Sequence, residues 1–507
     1  MEEQIVNITI DRESTTPIYL QIKHQIQEQI LSGKLAADFP LPPERKLAES
    51  LGVNRTTVFN AYQELKADGL IASHVGRGTI VISTNDGAGN SGSHPSPLLW
   101  RQLFSESASR ARDSLLGNIL QMVSRHDIIS FAAGVPAQEL EPVDVIRDLQ
   151  TQVLKDGGQA AFLHTPVEGH HPLRESIVKL LESREINVSL DELIVLSGSQ
   201  QGLDIASRIF LESGDVVIVE EPTFFCALQT FRAAGARIVG VPIDENGMRM
   251  DALKPLIEKY RPKLIYTIPN FQNPSGVVMN LERRLEMLDL AYHYQIPILE
   301  DDPYGLLRYE GKAVPPLKAL DRLGYVMYLS TFSKILCPGF RVGWMAAPKP
   351  VIRQFAWVKQ NMDLHTSSLS QCLLDRFCRE NYFSNHLKTL NQRYLQRRNI
   401  MLRALERYAM PDIFWNTPQG GYYIWCCLSE DVNTTQLLTK ATEHRVAYVP
   451  GEAFYNDGQG QNYLRLNFSY PAVDQIDIGI KKLMQVIQES VVTTIDEEFP
   501  LEVRPII

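Results

Sequence analysis

The stretch Ser330–Gly343, STFSKILCPGFRVG, decides how this 507-residue chain is read. A single lysine, Lys334, follows Val326–Leu329, an apolar and β-branched run suited to a strand buried on both faces. The hydroxyl residues Thr331 and Ser333 precede the lysine, and Pro338, Gly339 and Arg341 follow it. A lone lysine is ordinarily a solvated surface charge. A lysine just past a buried strand, with small hydroxyls before it and an arginine after it, has the parts to form a Schiff base with an aldehyde cofactor. Its neighbours would then hold that cofactor's phosphate.

Outward from this stretch, short apolar runs alternate with amphipathic ones. Leu193–Leu196, Val216–Val219, Leu264–Ile268 and Ile298–Leu299 read as strands. Gln201–Phe210, Phe225–Ala233, Met250–Lys259 and Glu282–Tyr294 read as helices between them. The alternation predicts an α/β domain with a mostly parallel sheet, and ligands of such sheets collect beyond the carboxyl ends of the strands. The polar residues just past each run therefore matter most. Ser197–Gly202 opens a helix with small residues, an arrangement that binds anions. Glu220–Phe225 offers an aromatic face on a loop, and Asn270–Gly276 is a rigid turn presenting an amide side chain. Glu300–Gly305 supplies a carboxylate to pair with a protonated pyridine nitrogen, and a tyrosine to donate to a phenolate oxygen. Tyr463–Phe468 alternates like a strand and carries Arg465, whose fork suits an α-carboxylate. Taken singly, these are equally a core phenylalanine, a capped helix or an exposed strand arginine. Together they make the set that a pyridoxal phosphate site needs.

From about Phe131 onward the motifs SGSQQGL, EEPTFF, PNFQNPSG, EDDPYG, TFSK, FRVG and YLRLNFS occur in this order. They resemble the fold-type I, class I aminotransferases, in particular the kynurenine and α-aminoadipate branch. The resemblance implies that Lys334 forms the internal aldimine with pyridoxal 5'-phosphate and that Asp301 pairs with the pyridine nitrogen. It assigns Asn273 and Tyr304 to the ring oxygen, and Ser199, Gln200, Thr331, Ser333 and Arg341 to the phosphate. Phe224 would stack on the ring, and Arg465 would clamp a carboxylate near Gly134 of FAAGVP. Two positions depart from the family pattern. Phe224 stands where a tyrosine is usual, which keeps stacking and loses a hydroxyl. His164, in FLHTPVEG, stands where a tyrosine usually reaches the neighbouring subunit's cofactor phosphate, and a histidine can still donate there.

Residues 15–83 read as a separate unit. Ile18, Ile22, Ile26 and Ile30 mark one helix, and Leu47, Ala48 and Leu51 mark a second after Pro42-Pro43. Gly52 makes a turn, and Asn54 caps a third helix with Val58, Ala61 and Leu65 inward. Leu70–Ala72 and Thr79–Ile82 then read as two strands around the tip Val75–Gly78. This is the plan of a winged helix-turn-helix, with Arg55, Thr56 and Thr57 at the N-terminus of its reading helix and Arg45, His74 and Arg77 as further donors. The residues favour DNA binding, but Met1–Ser83 carries eight Lys/Arg against ten Asp/Glu, which leaves a small helical dimerisation domain open. The run LPPERKLAESLGVNRTTVFNAYQELKADGLIASHVGRGTIVI closely resembles the GntR-family winged helix-turn-helix. That resemblance implies DNA contacts from Arg45, Arg55, Thr56, Thr57 and the wing around His74 and Gly76. Thr84–Pro97, TNDGAGNSGSHPSP, reads as a flexible linker. The expected domains are thus 1–83 for DNA binding, 84–99 as linker and 100–507 as the aminotransferase-like domain.

The net charge of -9 argues against non-specific coating of nucleic acid. Six scattered cysteines without CxxC spacing read as reduced thiols, with no metal site. The acidic Met-Glu-Glu-Gln start and the lack of a long apolar run place the protein in the cytoplasm, away from membranes. A GntR-like head joined to an aminotransferase-like domain resembles the MocR subfamily of bacterial transcription regulators. The resemblance implies a homodimer that binds double-stranded operator DNA and senses pyridoxal phosphate, an amino acid or an amine. The alternative is an active class I aminotransferase with an accessory N-terminal domain.

Overall fold

The computed structural model describes residues 8–12, 17–74, 78–82, 100–110 and 127–498, and the chain packs into two compact units, Met1–Ser109 and Arg110–Ile507. In the first unit the four-residue isoleucine spacing winds into the helix Ile18–Leu31, which turns Ile22, Ile26 and Ile30 into the core. The second helix, Glu44–Leu51, buries Leu47 and Ala48 and ends at Gly52, whose φ of 62° is the left-handed conformation that glycine adopts without a Cβ clash. The side chain of Asn54 accepts the Thr56 backbone N–H at 3.1 Å and so starts the third helix, Arg55–Ala67. Ile71–His74 and Gly78–Val81 pair antiparallel, Ile71 facing Val81, and complete the winged helix-turn-helix. The expected wing tip with Gly76 and Arg77, and the expected linker 84–99, lie outside the described residues.

The second unit is built on an eight-stranded sheet. Its order is Leu193–Leu196, Gly343–Ala346, Val326–Thr331, Ile298–Asp301, Leu264–Thr267, Val216–Glu221, Arg237–Asp244 and Gly247–Met248. Five central strands run parallel, and Gly343–Ala346 is antiparallel to both its neighbours. The helices Ser199–Phe210, Phe225–Ala233, Met250–Tyr260 and Leu281–Tyr294 form the connections the periodicity predicts. Two strands extend beyond their apolar runs. Leu329 pairs with Asp301, so Asp301 and Thr331 are the last residues of buried strands rather than loop residues. Backbone pairing continues there after hydrophobicity stops. Arg237–Asp244 and Gly343–Ala346 are further strands, the second opening on a glycine that gives no strand signal. A smaller sheet of Phe414–Trp415, Tyr423–Cys427, Tyr463–Asn467 and Val449–Pro450 carries Arg465.

The first unit depends on a small core in which Ile26 is wholly buried. Ile26→Ala should destabilise that unit by about 2–5 kcal/mol. In a thermal melt, the first unit should unfold well before the remainder; an unchanged melt would contradict the packing.

Candidate functional site

One cavity of about 150 Å³ is lined by Ser199, Gln200, Phe224, Asn273, Asp301, Tyr304, Thr331, Ser333, Lys334 and Arg341, together with Ile268 and Pro303. Lys334 closes the short turn Phe332–Lys334 that follows its strand, and its Nζ donates to the Gly134 carbonyl at 2.5 Å. The Tyr422 hydroxyl donates to the Lys334 carbonyl, which fixes the backbone beneath that side chain.

At one end of the cavity hydroxyls and a guanidinium converge. The Thr331 hydroxyl lies 3.0 Å from Ser333 Oγ, and Arg341 Nη1 donates to the same Ser333 oxygen at 3.3 Å. Arg341 pairs with no carboxylate among the described residues and lies against Gly198, just ahead of the helix Ser199–Phe210. Gly198 has a φ of +93°, and a Cβ there would fall 2.4 Å from Arg341 Nη2. The glycine is needed both for the turn and for the arginine's approach. A helix N-terminus, two hydroxyls and a guanidinium bonded only to neutral oxygens make a donor set that suits a phosphate. Gln200 also faces the cavity, with its amide donating to Thr230 Oγ1 at 2.8 Å.

Asp301 stands elsewhere on the cavity wall. Its Oδ2 accepts from the Tyr266 hydroxyl at 2.9 Å, while its Oδ1 is buried and has no partner among the described residues. Burial pushes the carboxyl up to about 7; Asp302 pushes the same way, and the Tyr266 hydroxyl and Lys334 oppose it. A buried, half-satisfied carboxylate is what a protonated pyridine nitrogen requires, so the donor set fits pyridoxal phosphate. Tyr304 adds a hydroxyl 3.0 Å from that of Tyr423.

Arg465 is 2% exposed, which excludes a solvated strand arginine. Its guanidinium donates to Asn273 Oδ1 and to the Ala132 carbonyl, both at 2.9 Å, and lies over the rings of Tyr423 and Phe454 at 4.1 and 5.1 Å. No carboxylate pairs with it among the described residues, so a buried cation is left for an anionic ligand. His164 does not line this cavity; it is exposed, and its Nδ1 lies 2.9 Å from His365 Nε2. Tyr266, Tyr422 and Tyr423 are functional neighbours that sequence reasoning missed. Tyr266 lies inside an apolar strand, whereas Gly420-Gly421 ahead of the Tyr422-Tyr423 pair is a signal that could have found the other two.

In the first unit Arg45 is exposed at the start of the second helix, Arg55 and Thr56 are exposed at the start of the third, and Thr57 is half-buried. Both arginines have acidic company: Arg45 lies 3.3 Å from Glu49 and Arg55 lies 3.5 Å from Glu44. The Arg45–Glu49 pair is exposed on both sides and weak, whereas Glu44 is partly buried beside Arg55. His74 ends the first wing strand, and its side chain is outside the described residues.

Asp301 gives a test by pH. Its folded pKa lies above the unfolded value, so the stability it contributes is complete below the unfolded pKa and is lost as pH rises through about 7. Between about pH 5 and 7 the cofactor-free protein should lose melting temperature relative to Asp301→Asn. Parallel curves would contradict the burial of that carboxyl.

The aminotransferase class I and II family model matches residues 126–483, and the model of bacterial regulatory proteins of the gntR family matches residues 18–81. The uncharacterized HTH-type transcriptional regulator YisV of Bacillus subtilis is 33% identical, over 93% of this chain and 96% of that one. The probable rhizopine catabolism regulatory protein MocR of Rhizobium meliloti is 30% identical, over 91% of this chain and 88% of that one. Among solved structures, Pyrococcus horikoshii kynurenine aminotransferase in complex with PMP superposes with a TM-score of 0.74 at 39% identity, covering 77% of this chain and 98% of that chain. Among the described residues no helix is long and apolar enough to cross a membrane. The second unit has the fold-type I aminotransferase fold and belongs to the class I and II aminotransferase family, and with its gntR-type head the chain belongs to the MocR subfamily of GntR-family transcription regulators.

Proposed function

We propose that this protein is a cytoplasmic, homodimeric transcription regulator that binds pyridoxal phosphate and uses its aminotransferase-like domain to sense cofactor and an amino acid or amine. The observation that carries the reading is the presence, in one chain, of a helix-turn-helix and a cavity bringing Lys334 together with the unpartnered oxygen of Asp301. Bound pyridoxal phosphate would supply an aldehyde that condenses with primary amines and a ring that delocalises electrons. Lys334 is assigned the covalent attachment, Asp301 the pyridine nitrogen, and Asn273 and Tyr304 the ring oxygen. Phe224 stacks on the ring. Ser199, Gln200, Thr331, Ser333 and Arg341 hold the phosphate, with His164 reaching it from the neighbouring subunit. Arg465, beside Gly134, holds a carboxylate of the effector. An effector with both groups meets Arg465 through its carboxylate and competes with Lys334 through its amine.

Arg45, Arg55, Thr56, Thr57 and the wing residues His74, Gly76 and Arg77 are assigned to DNA, and residues 84–99 to a linker that lets the heads reposition. Paired heads would read two half-sites of an operator. An effector preferring one sensor state by roughly 1–3 kcal/mol would change operator occupancy several-fold or more. A second reading, an active aminotransferase with an accessory head, draws support from the joint presence of Lys334, Asp301, Tyr304 and Arg465. Slow transamination alongside regulation is compatible with both.

Reconstituted protein should show a visible absorbance band that Lys334→Ala abolishes; a persistent band would sink the cofactor assignment. Arg55→Ala should weaken operator binding by roughly tenfold or more and leave the band intact. Unchanged DNA affinity would contradict the reading head. Steady turnover of amino acid with a 2-oxo acid, without specific DNA binding, would favour the second reading.

A further inference from the structure

A second cavity, of about 510 Å³, shares no lining residue with the first. Its wall includes Arg184, Asn270, Gly305 and Arg308, so it begins one residue past Tyr304 of the first cavity. Two arginines around it, Arg284 and Arg308, make no ion pair with a carboxylate among the described residues. Arg284, fully buried, donates only to the carbonyls of Met279, Pro315 and Pro269 and to Asn270 Oδ1, at 2.7–3.0 Å, and it pairs with no carboxylate among the described residues. Burial pushes its pKa down to about 10; Glu300 and Asp302 oppose this, and Arg184 and Arg308 add to it. Glu300 is committed to the backbone N–H groups of Leu317 and Lys318, and burial pushes its carboxyl up to about 7.

Asn270 links Arg284 to the cavity wall. Its carbonyl oxygen is held by Arg284 at 2.7 Å, and its amide nitrogen, on a residue only 2% exposed, is buried without a partner among the described residues. A donor polarised in this way, at a cavity wall, calls for an acceptor. Arg308 is stacked 4.8 Å over Phe271 and donates to two neutral acceptors, the Glu310 carbonyl and Gln419 Oε1. Arg184 is taken by Asp302 at 2.5 Å. The wall carboxylates do not neutralise Arg308: Glu310 pairs with Arg398 at 2.7 Å, and Glu185 is exposed to water.

We infer that this cavity binds a small dianion, a dicarboxylate or an inorganic phosphate, gripped by Arg308 and the Asn270 amide with Arg184 and Arg284 behind them. A bidentate arginine and a desolvated amide suit such oxygens. The ligand would bear on the cofactor cavity through the chain itself, because residues 301–305 run from one wall to the other. Gly305 is the tight point: a Cβ there would lie 2.4 Å from Arg184 Nη2.

Full-length protein reconstituted with pyridoxal phosphate, its loading read from the visible band, is titrated calorimetrically with inorganic phosphate and, separately, with succinate. A missing band would bear on the proposed function; the titration bears on this cavity. At least one anion should bind, with Arg308→Gln weakening it by roughly tenfold or more. Asn270→Asp, which supplies an internal anion to Arg284, should abolish binding and keep the fold. Binding of phosphate alone identifies a phosphoryl ligand, and binding of succinate alone a dicarboxylate. No binding of either anion at millimolar concentration, or affinity unchanged in both variants, overturns the inference.

Discussion

Asp301 gives one carboxylate oxygen to the Tyr266 hydroxyl and keeps the other buried with no partner. A charge held dry and half-satisfied is costly unless a cation completes it. The sheet around it is arranged to keep that oxygen dry. Parallel strands on both sides bury it, Tyr266 reaches it from one adjacent strand, and Lys334 closes the short turn Phe332–Lys334 that follows the other, Val326–Thr331. Arg465 presents the complementary problem. It is a buried cation seated between aromatic rings, bonded to neutral oxygens and lacking a counter-ion among the described residues. A cationic ring nitrogen and a ligand carboxylate would satisfy both. The cavity is thus costly for the isolated chain and favourable for a complex.

Much of this was legible because strand ends are legible. Lys334, Asp301, Thr331 and Arg341 each follow an apolar run, and their elements bring them to one cavity. The N-terminal unit was readable for a similar reason, since isoleucines every fourth residue and the Gly52 and Asn54 boundary signals fix three helices. What stayed hidden depends on long-range contact. Tyr423 lies 119 residues from Tyr304, and Arg465 lies 192 residues from Asn273. His365, the partner of His164, is 201 residues away. Arg284 sits within a helix like any amphipathic arginine, and only the fold shows that it is buried without a carboxylate. The extension of strands through Asp301 and Thr331 was missed because polarity ends a hydrophobic run before backbone pairing ends a strand.

The two units answer to different physics. The cavity unit gains from burying charge against a ligand. The head unit carries exposed arginines in ion pairs with Glu44 and Glu49. Joining them makes sense if binding in one unit biases the other, and the coupling needed is small compared with the cost of the buried charges.

The direct test is operator affinity in a single preparation of loaded protein, with DNA from its own upstream region, before and after addition of amino acids and amines that alter the cofactor spectrum. The account predicts that an amine which shifts the spectrum also shifts operator affinity by about fivefold or more, and that Lys334→Ala loses both responses together. Spectral shifts with every responsive amine but constant operator affinity would contradict it.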